Sequence, residues 1–251
     1  MFGSQNNYVA PSTGVPSGDA SLITDGLVMN LDAGNSLSYN GTGTAWTDLS
    51  GNGNHGILFN SVTYNASNQG FLVFNGNGSY AGSVGFNPYV SLPMSTDFDF
   101  GTANFTVELW ALTTSANPHP DFITLNVNSA TYAGFRMEYW NGNVNTLHSY
   151  DGASHVSGGI FPIVLDTWQH IVVSRISGTV SIYVNGDLKT TYSLPGSLLA
   201  QQNSRIGDFY GSNGYYSFSG NIALVKIFKN KGLTATEAVN HFTLTKSRFG
   251  L

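Results

Sequence analysis

From Gly26 onward, apolar side chains recur at every second position, the period of a half-buried β-strand. In LVMNLDA, Leu27, Met29 and Leu31 alternate with Val28, Asn30 and Asp32. In NFTVELWALTT, Phe105, Val107, Leu109 and Ala111 share one face, and Thr106, Glu108, Trp110 and Leu112 the other. HGILFN, GFLVFNG, DFITLNV, GFRMEYW, WQHIVVSRI, TVSIYVNG and NIALVKIF repeat the theme. Between the runs stand Asn40-Gly41, Asn75-Gly76, Asn141-Gly142, Asp151-Gly152 and Asn185-Gly186, pairs that tolerate positive φ and close tight hairpins. About a dozen short strands with turn signals between them predict an all-β, two-sheet antiparallel sandwich. One helix is predicted near the C-terminus, where Thr234 and Glu237 form a capping box ahead of Ala238, Val239 and Phe242.

The first residues break this pattern. Rich in Ser, Asn, Gln, Gly and Pro, residues 1–24 read as an extended arm, and residues 25–251 as a single domain. The arm's scattered apolar side chains, Phe2, Tyr8 and Val9, are its candidate docking points on a neighbouring subunit. It lacks a basic n-region and an apolar h-region, so no secretory signal is expected.

Charge narrows the functional classes. Only 9% of the 251 residues are charged, against about 25% in an ordinary soluble domain. Residues 1–135 hold no Lys or Arg and eight acids; the first base is Arg136. Nucleic acid is excluded as a partner, because binding it needs clustered bases. No apolar run approaches the roughly 18–20 residues that cross a bilayer, so no membrane association is expected. With no Cys, disulfides and thiolate chemistry are absent. Five of the nine bases fall between Lys226 and Arg248, which predicts a locally basic C-terminal surface for an acidic arm or partner. Edge strands in residues 1–135 have no Lys to guard them, which suits a protein whose edges are covered by neighbours, oligomeric or assembled.

Catalytic patterns are weak. Asp97 and Asp99 have same-face spacing, but Gly101 and Asn104 follow and suggest a turn. Glu108 has only Thr106 and Trp110 as same-face neighbours on its own strand, and Glu138 reads as a cross-face ion pair with Arg136. No nucleophile elbow, zinc spacing or phosphate loop occurs, and His170 reads as a structural strand residue, so no enzymatic activity is expected. No cofactor is required. The loop DLSGNGNHG could offer Ca²⁺ its oxygens, with Asp48 as the metal candidate; the simpler reading is a tight turn built around Asp48. Sugars need aromatic faces with amides and acids beside them. The candidates are Trp140, Asn141, Tyr150 and Asp151 in one region and Tyr210, Asn213, Tyr215 and Tyr216 in another. The same aromatics would equally serve a protein–protein interface.

The run from Asp25 to Asn60, the strand FLVFNGNGSY, the strand NFTVELWA, the pair DTWQHIVVSR and VSIYVNGDL, and the closing FSGNIALVKIFKNKGLTATEAVNHF resemble, in order, the laminin-G-like, concanavalin A-type domains. The resemblance covers nearly all of residues 25–251 and implies a jelly roll with one short C-terminal helix. Where the family's closing strand often carries an acidic pair, this chain reads Ile222-Ala223-Leu224-Val225, so no role for those acids carries over. The opening run together with the tail TKSRFGL resembles forms in tailed-phage genomes. That resemblance implies a non-enzymatic virion protein, a capsid decoration or head or tail accessory assembled in the bacterial cytoplasm and joined to neighbouring virion proteins through its arm. The alternative it implies is a lectin-like module for cell-surface glycans.

Overall fold

The computed structural model describes residues 21–76, 87–115, 120–127, 134–140, 144–150, 155–161, 163–198, 203–209 and 216–251, with the backbone alone for 139–140, 144–150 and 155–161. Its first strands are β1 (Leu27–Asp32), β2 (Ala45–Trp46), β3 (Gly56–Phe59), β4 (Thr63–Asn65), β5 (Phe71–Asn75) and β6 (Tyr89–Leu92). Next come β7 (Phe105–Thr113), β8 (Asp121–Val127), β9 (Gly134–Trp140), β10 (Val144–Tyr150) and β11 (His155–Phe161). The last are β12 (Trp168–Ile176), β13 (Thr179–Val184), β14 (Asp187–Ser193), β15 (Asn203–Ile206) and β16 (Ser219–Lys229), followed by helix α1 (Ala235–Thr245).

Two antiparallel sheets form the sandwich. Sheet I runs β14-β13-β12-β7-β16-β5-β4, and sheet II runs β11-β10-β9-β8-β15-β6-β3-β2. Strand β16 is the keystone of sheet I. One edge pairs with β7 along its length, while the other is shared by β5, opposite Ser219–Ile222, and β1, opposite Leu224–Phe228. A register shift between Ile222 and Leu224 marks a bulge, so the sequence alternation of NIALVKIF slips by one there. Ile222, Val225 and Ile227 consequently join the main core, while Ala223 and Leu224 face the opposite way.

The alternation of β7 is realised as read. Phe105, Val107, Leu109 and Ala111 lie in the core between the sheets. There Phe105 stacks on Phe100 at 4.5 Å and meets the edge of Phe135, from sheet II, at 5.6 Å. Its other face does not meet water, because α1 and the turn Lys246–Phe249 cover it. Phe249 packs on Trp110 at 4.1 Å and on Trp168 at 4.7 Å, and Trp110 Nε1 donates to Thr245 Oγ1 at 2.9 Å.

The Thr234–Glu237 capping box forms in full. The helix buries Ala238 and His241, whereas Val239 is 43% exposed. Asn185 and Gly186 both take positive φ, 53° and 82°, and close the β13–β14 hairpin. Asn75-Gly76 is not a hairpin: Asn75 ends β5, and Gly76 extends the ladder by donating to the Phe218 carbonyl at 3.0 Å. Asn141-Gly142 and Asp151-Gly152 lie outside the described residues, between strands that pair antiparallel.

Of the expected arm, Phe2, Tyr8 and Val9 lie outside the described residues. Its last residues belong to the domain's packing. Ile23 lies against Val172, Leu233 and Ala238, and its N–H donates to His241 Nε2 at 2.8 Å. Among the described residues, no helix is long and apolar enough to cross a membrane.

Candidate functional site

The outward face of sheet II carries chemistry that a solvent-facing sheet does not need. Leu58, Val90, Leu92, Ile206, Phe135 and Met137 point into the core, so their strand neighbours Ile57, Phe59, Tyr89, Ser91, Arg205, Arg136 and Glu138 point away from it. Phe59 and Tyr89 are opposed in register on β3 and β6, and their rings stack at 5.0 Å with an 11° tilt. The Arg205 guanidinium lies over the Tyr89 ring at 3.8 Å. Ile57 and Phe59 remain 48% and 41% exposed, an aromatic–aliphatic step offered to solvent.

Toward β8 and β9 the same face becomes a buried charge cluster. Arg136 Nε and Nη2 grip Asp121 at 3.2 and 2.9 Å, and Nη2 also reaches Glu138 Oε2 at 2.6 Å. The guanidinium is held over the rings of Phe209 and Tyr216, at 4.5 and 4.7 Å. Arg205 pairs with Asp208 at 2.9 Å. Burial pushes the Asp121 carboxyl well above the usual carboxylate range; Arg136 pulls it back, and the Glu138 and Asp208 charges add to the rise. Asp121 and Glu138 are both sealed from solvent and engage the same guanidinium nitrogen, so this pair does not flank a space where a glycosidic bond could sit. The cluster instead fixes Tyr216 at the surface: Asp121 N–H donates to the Tyr216 carbonyl at 2.8 Å.

The structure separates the first group of sequence candidates. Trp140 closes β9 opposite Val144, whereas Tyr150 stands at the far end of the seven-residue β10, opposite Gly134. Seven extended residues span roughly 20 Å, so Trp140 and Tyr150 do not form one subsite. Asn141, Asp151, Tyr210, Asn213 and Tyr215 lie outside the described residues. Tyr216 is in the cluster. Arg136 and Glu138 share one face and not two, because alternate strand residues point the same way. Phe59, Tyr89 and Arg205 were not singled out from sequence. A signal existed in HGILFN: a strand with one wet face has no use for Ile57 and Phe59 beside Leu58.

Asp48 sits 6% exposed at the centre of its loop. Its Oδ1 accepts from the N–H groups of Asn30 and Ser50, both at 2.8 Å. Its Oδ2 accepts from Ser50 Oγ at 2.7 Å and Asn54 N–H at 3.0 Å. The carboxylate thus organises the turn with the chain's own donors. Among the described residues, no group of three or more His, Asp or Glu is placed to hold a metal. Asp97 and Asp99 diverge, to Asn54 Nδ2 at 2.7 Å and Asn126 Nδ2 at 2.5 Å.

A second buried cluster lies between sheet I and α1. Glu108, solitary on its own strand, receives partners from three other elements. His170 Nε2 of β12 stands 3.0 Å from Oε1, His241 Nδ1 of α1 2.7 Å from Oε2, and Lys226 Nζ of β16 3.7 Å from Oε1. Burial opposes the Glu108 charge, but Lys226 and the two imidazoles together hold its carboxyl well below the usual range. Burial pushes His170 down, against the pull of Glu108. His241 Nε2 accepts the Ile23 N–H, so its proton sits on Nδ1 and is donated to Glu108. The expected basic surface is correspondingly thinner than the sequence suggests. Lys226 is buried, Lys231 pairs with Glu237 at 2.6 Å, and Arg248 pairs with Asp32 at 2.7 Å.

Residues 82–238 match the family model described as the concanavalin A-like lectin/glucanases superfamily. No curated protein sequence matches the chain. Among solved structures, the receptor-binding domain of botulinum neurotoxin type G is similar at a TM-score of 0.65 and 16% identity, covering 88% of this chain and 51% of its own. The chain therefore spans about half the length of that toxin domain. Domain 4 of an extracellular arabinanase from Geobacillus stearothermophilus, in complex with arabinotriose, is similar at a TM-score of 0.64 and 18% identity, covering 85% of this chain and 97% of its own. A Trypanosoma rangeli sialidase in complex with sialic acid matches at 0.62 and 16%, covering 89% of this chain and 33% of its own. At these identities the likeness shows the fold alone.

Proposed function

Since the chain belongs to the concanavalin A-like lectin/glucanase superfamily, we propose that it is a non-catalytic carbohydrate-binding module whose binding face is the outer surface of sheet II. The observation that carries this reading is the outward Phe59–Tyr89 stack, with part-exposed Tyr216 held over Arg136 elsewhere on the same face, where strand alternation calls for polar residues. Aromatic rings held rigid by their neighbours offer a flat apolar surface to the C–H face of a sugar at low entropic cost. Here Arg205 and Arg136 provide the rigidity, each laid against a ring and tied to a carboxylate. The arabinanase domain, of nearly the same length and solved with arabinotriose, supports the reading.

Binding needs no metal, because stacking and hydroxyl hydrogen bonds suffice. The similarity to the arabinanase domain solved with arabinotriose favours the glycan reading over the virion setting implied by the opening run and tail. A glycan array with wild type, Phe59→Ala and Tyr216→Ala, each with and without EDTA, tests it. Wild type binds a subset of glycans with or without EDTA, and each variant loses at least tenfold in affinity while melting within a few degrees of wild type. A wild type that binds nothing on the array, or variants that bind as well as wild type, overturns the proposal.

A further inference from the structure

The charges on sheet II select among glycans, an inference that rests on the binding reading above. All nine Lys and Arg residues of the chain fall at described positions. Seven of them (Arg175, Lys189, Lys226, Lys229, Lys231, Lys246 and Arg248) belong to sheet I, to α1 or to the segments that flank the helix. Only Arg136 and Arg205 lie on the outer face of sheet II. Both already hold carboxylates, Arg136 those of Asp121 and Glu138, Arg205 that of Asp208. Two guanidinium groups thus face three carboxyl groups. With all three ionised the local charge is −1, and with Asp121 protonated it is zero. In neither state do these five described side chains carry net positive charge. Recognising a sialic, uronic or sulfated sugar needs a guanidinium or ammonium able to turn to the incoming anion. Here both guanidinium groups are tied to buried acids, which offset the positive charge an incoming anion would meet.

We infer that the sheet II face is selective for neutral glycans and discriminates against anionic ones. The similar arabinanase domain was solved with arabinotriose, a neutral ligand of the kind this charge arrangement admits. Selectivity arises from repulsion by the acids and from the pairing of both Arg residues of the face with acids, not from a steric gate.

The test uses matched pairs that differ chiefly in charge: 3′-sialyllactose methyl ester against 3′-sialyllactose, and fully methyl-esterified polygalacturonate against polygalacturonate, by calorimetry or glycan array at 20 and 300 mM NaCl. At low salt the neutral member binds about tenfold or more tightly than the anionic one. The gap narrows at high salt as repulsion is screened. Asp208→Asn removes one acid from beside Arg205 and narrows the low-salt gap severalfold. Should that variant fail to fold, the salt dependence of wild type still decides the matter. Equal or tighter binding of the anionic member overturns the selectivity while leaving the glycan reading intact. Binding of neither member of any pair, nor of any array glycan, overturns the glycan reading and the selectivity with it.

Discussion

Replacing Glu108 by Gln would change one oxygen into an amide nitrogen at a fully buried carboxylate, and its consequences follow from three distances. His170 Nε2 at 3.0 Å and His241 Nδ1 at 2.7 Å both donate to the carboxylate, one to each oxygen. An amide has one oxygen to accept with, so its NH₂ group must meet one imidazole N–H head-on, or one imidazole must lose its donor role. Lys226 Nζ, 4% exposed and 3.7 Å from Oε1, makes no hydrogen bond, so Glu108 is its main electrostatic partner. Removing one partner of a buried ion pair costs about 3–5 kcal/mol. For a chain of 251 residues the unfolding entropy near the melting point is roughly 0.5 kcal/mol per degree, so the melting temperature falls by about 6–10 °C. The loss comes largely from the stranded Lys226 charge, and Glu108→Gln/Lys226→Met therefore recovers part of it. Scanning calorimetry and urea titration of both variants at pH 7 measure this. A single variant within about 1 kcal/mol of wild type, or a double variant less stable than the single, would refute the account of the cluster.

Acidification should act through the same cluster. Burial keeps His170 neutral below its usual range, so under about pH 6.5 the unfolded chain binds a proton that the folded chain refuses, and stability falls as pH drops toward 5. Glu108, held well below its usual range, adds a further loss below about pH 4.5, while Asp121, raised, acts in the opposite sense by taking up its proton first in the folded state. Urea titrations in half-unit steps should show the decline between pH 7 and 5 in wild type and a flatter profile in His170→Gln; parallel profiles would discount His170. Arg136→Met leaves Asp121 and Glu138 buried without their cation and costs about 3–5 kcal/mol at pH 7. That penalty shrinks at pH 4.5, and an equal penalty at both pH values would mean that lost packing, not charge, explains it. Gly207→Ala would bring a Cβ to 2.5 Å from the Phe74 ring at a φ of +85°, so thermal melts should show a loss of about 2–4 kcal/mol, and a neutral outcome would show that the Phe74 ring can retreat.

The parts of this fold legible in the sequence are those decided within one strand or one turn. The two faces of β7 could be read because each needs a different neighbour, the opposite sheet for Val107 and Leu109, the C-terminal turn for Trp110. The capping box of α1 spans four residues and forms as written. Reading fails where a partner arrives from far along the chain. Glu108 looked solitary because its two imidazoles stand 62 and 133 residues away, on β12 and α1. The bulge in β16 fails for a related reason: nothing within NIALVKIF says that Ala223 should be skipped, since the skip is set by register against β7. The candidate site shows both regimes. Tyr216 was found by its aromatic and glycine-rich company. Phe59 was not, because a lone apolar residue at an outward position is read as noise until its cross-strand partner is known. Once Tyr89 is found opposite it at 5.0 Å and Arg205 on Tyr89 at 3.8 Å, the three become one rigid surface. Residues 1–135 supply its rings without a single Lys or Arg, and its two nearby cations, Arg205 and Arg136, come from farther along and are bound to acids. The same scarcity of bases leaves the Phe59–Tyr89 stack with Arg205 as its adjoining cation, tied to Asp208, a rigid aromatic surface of the kind a neutral sugar ring stacks on.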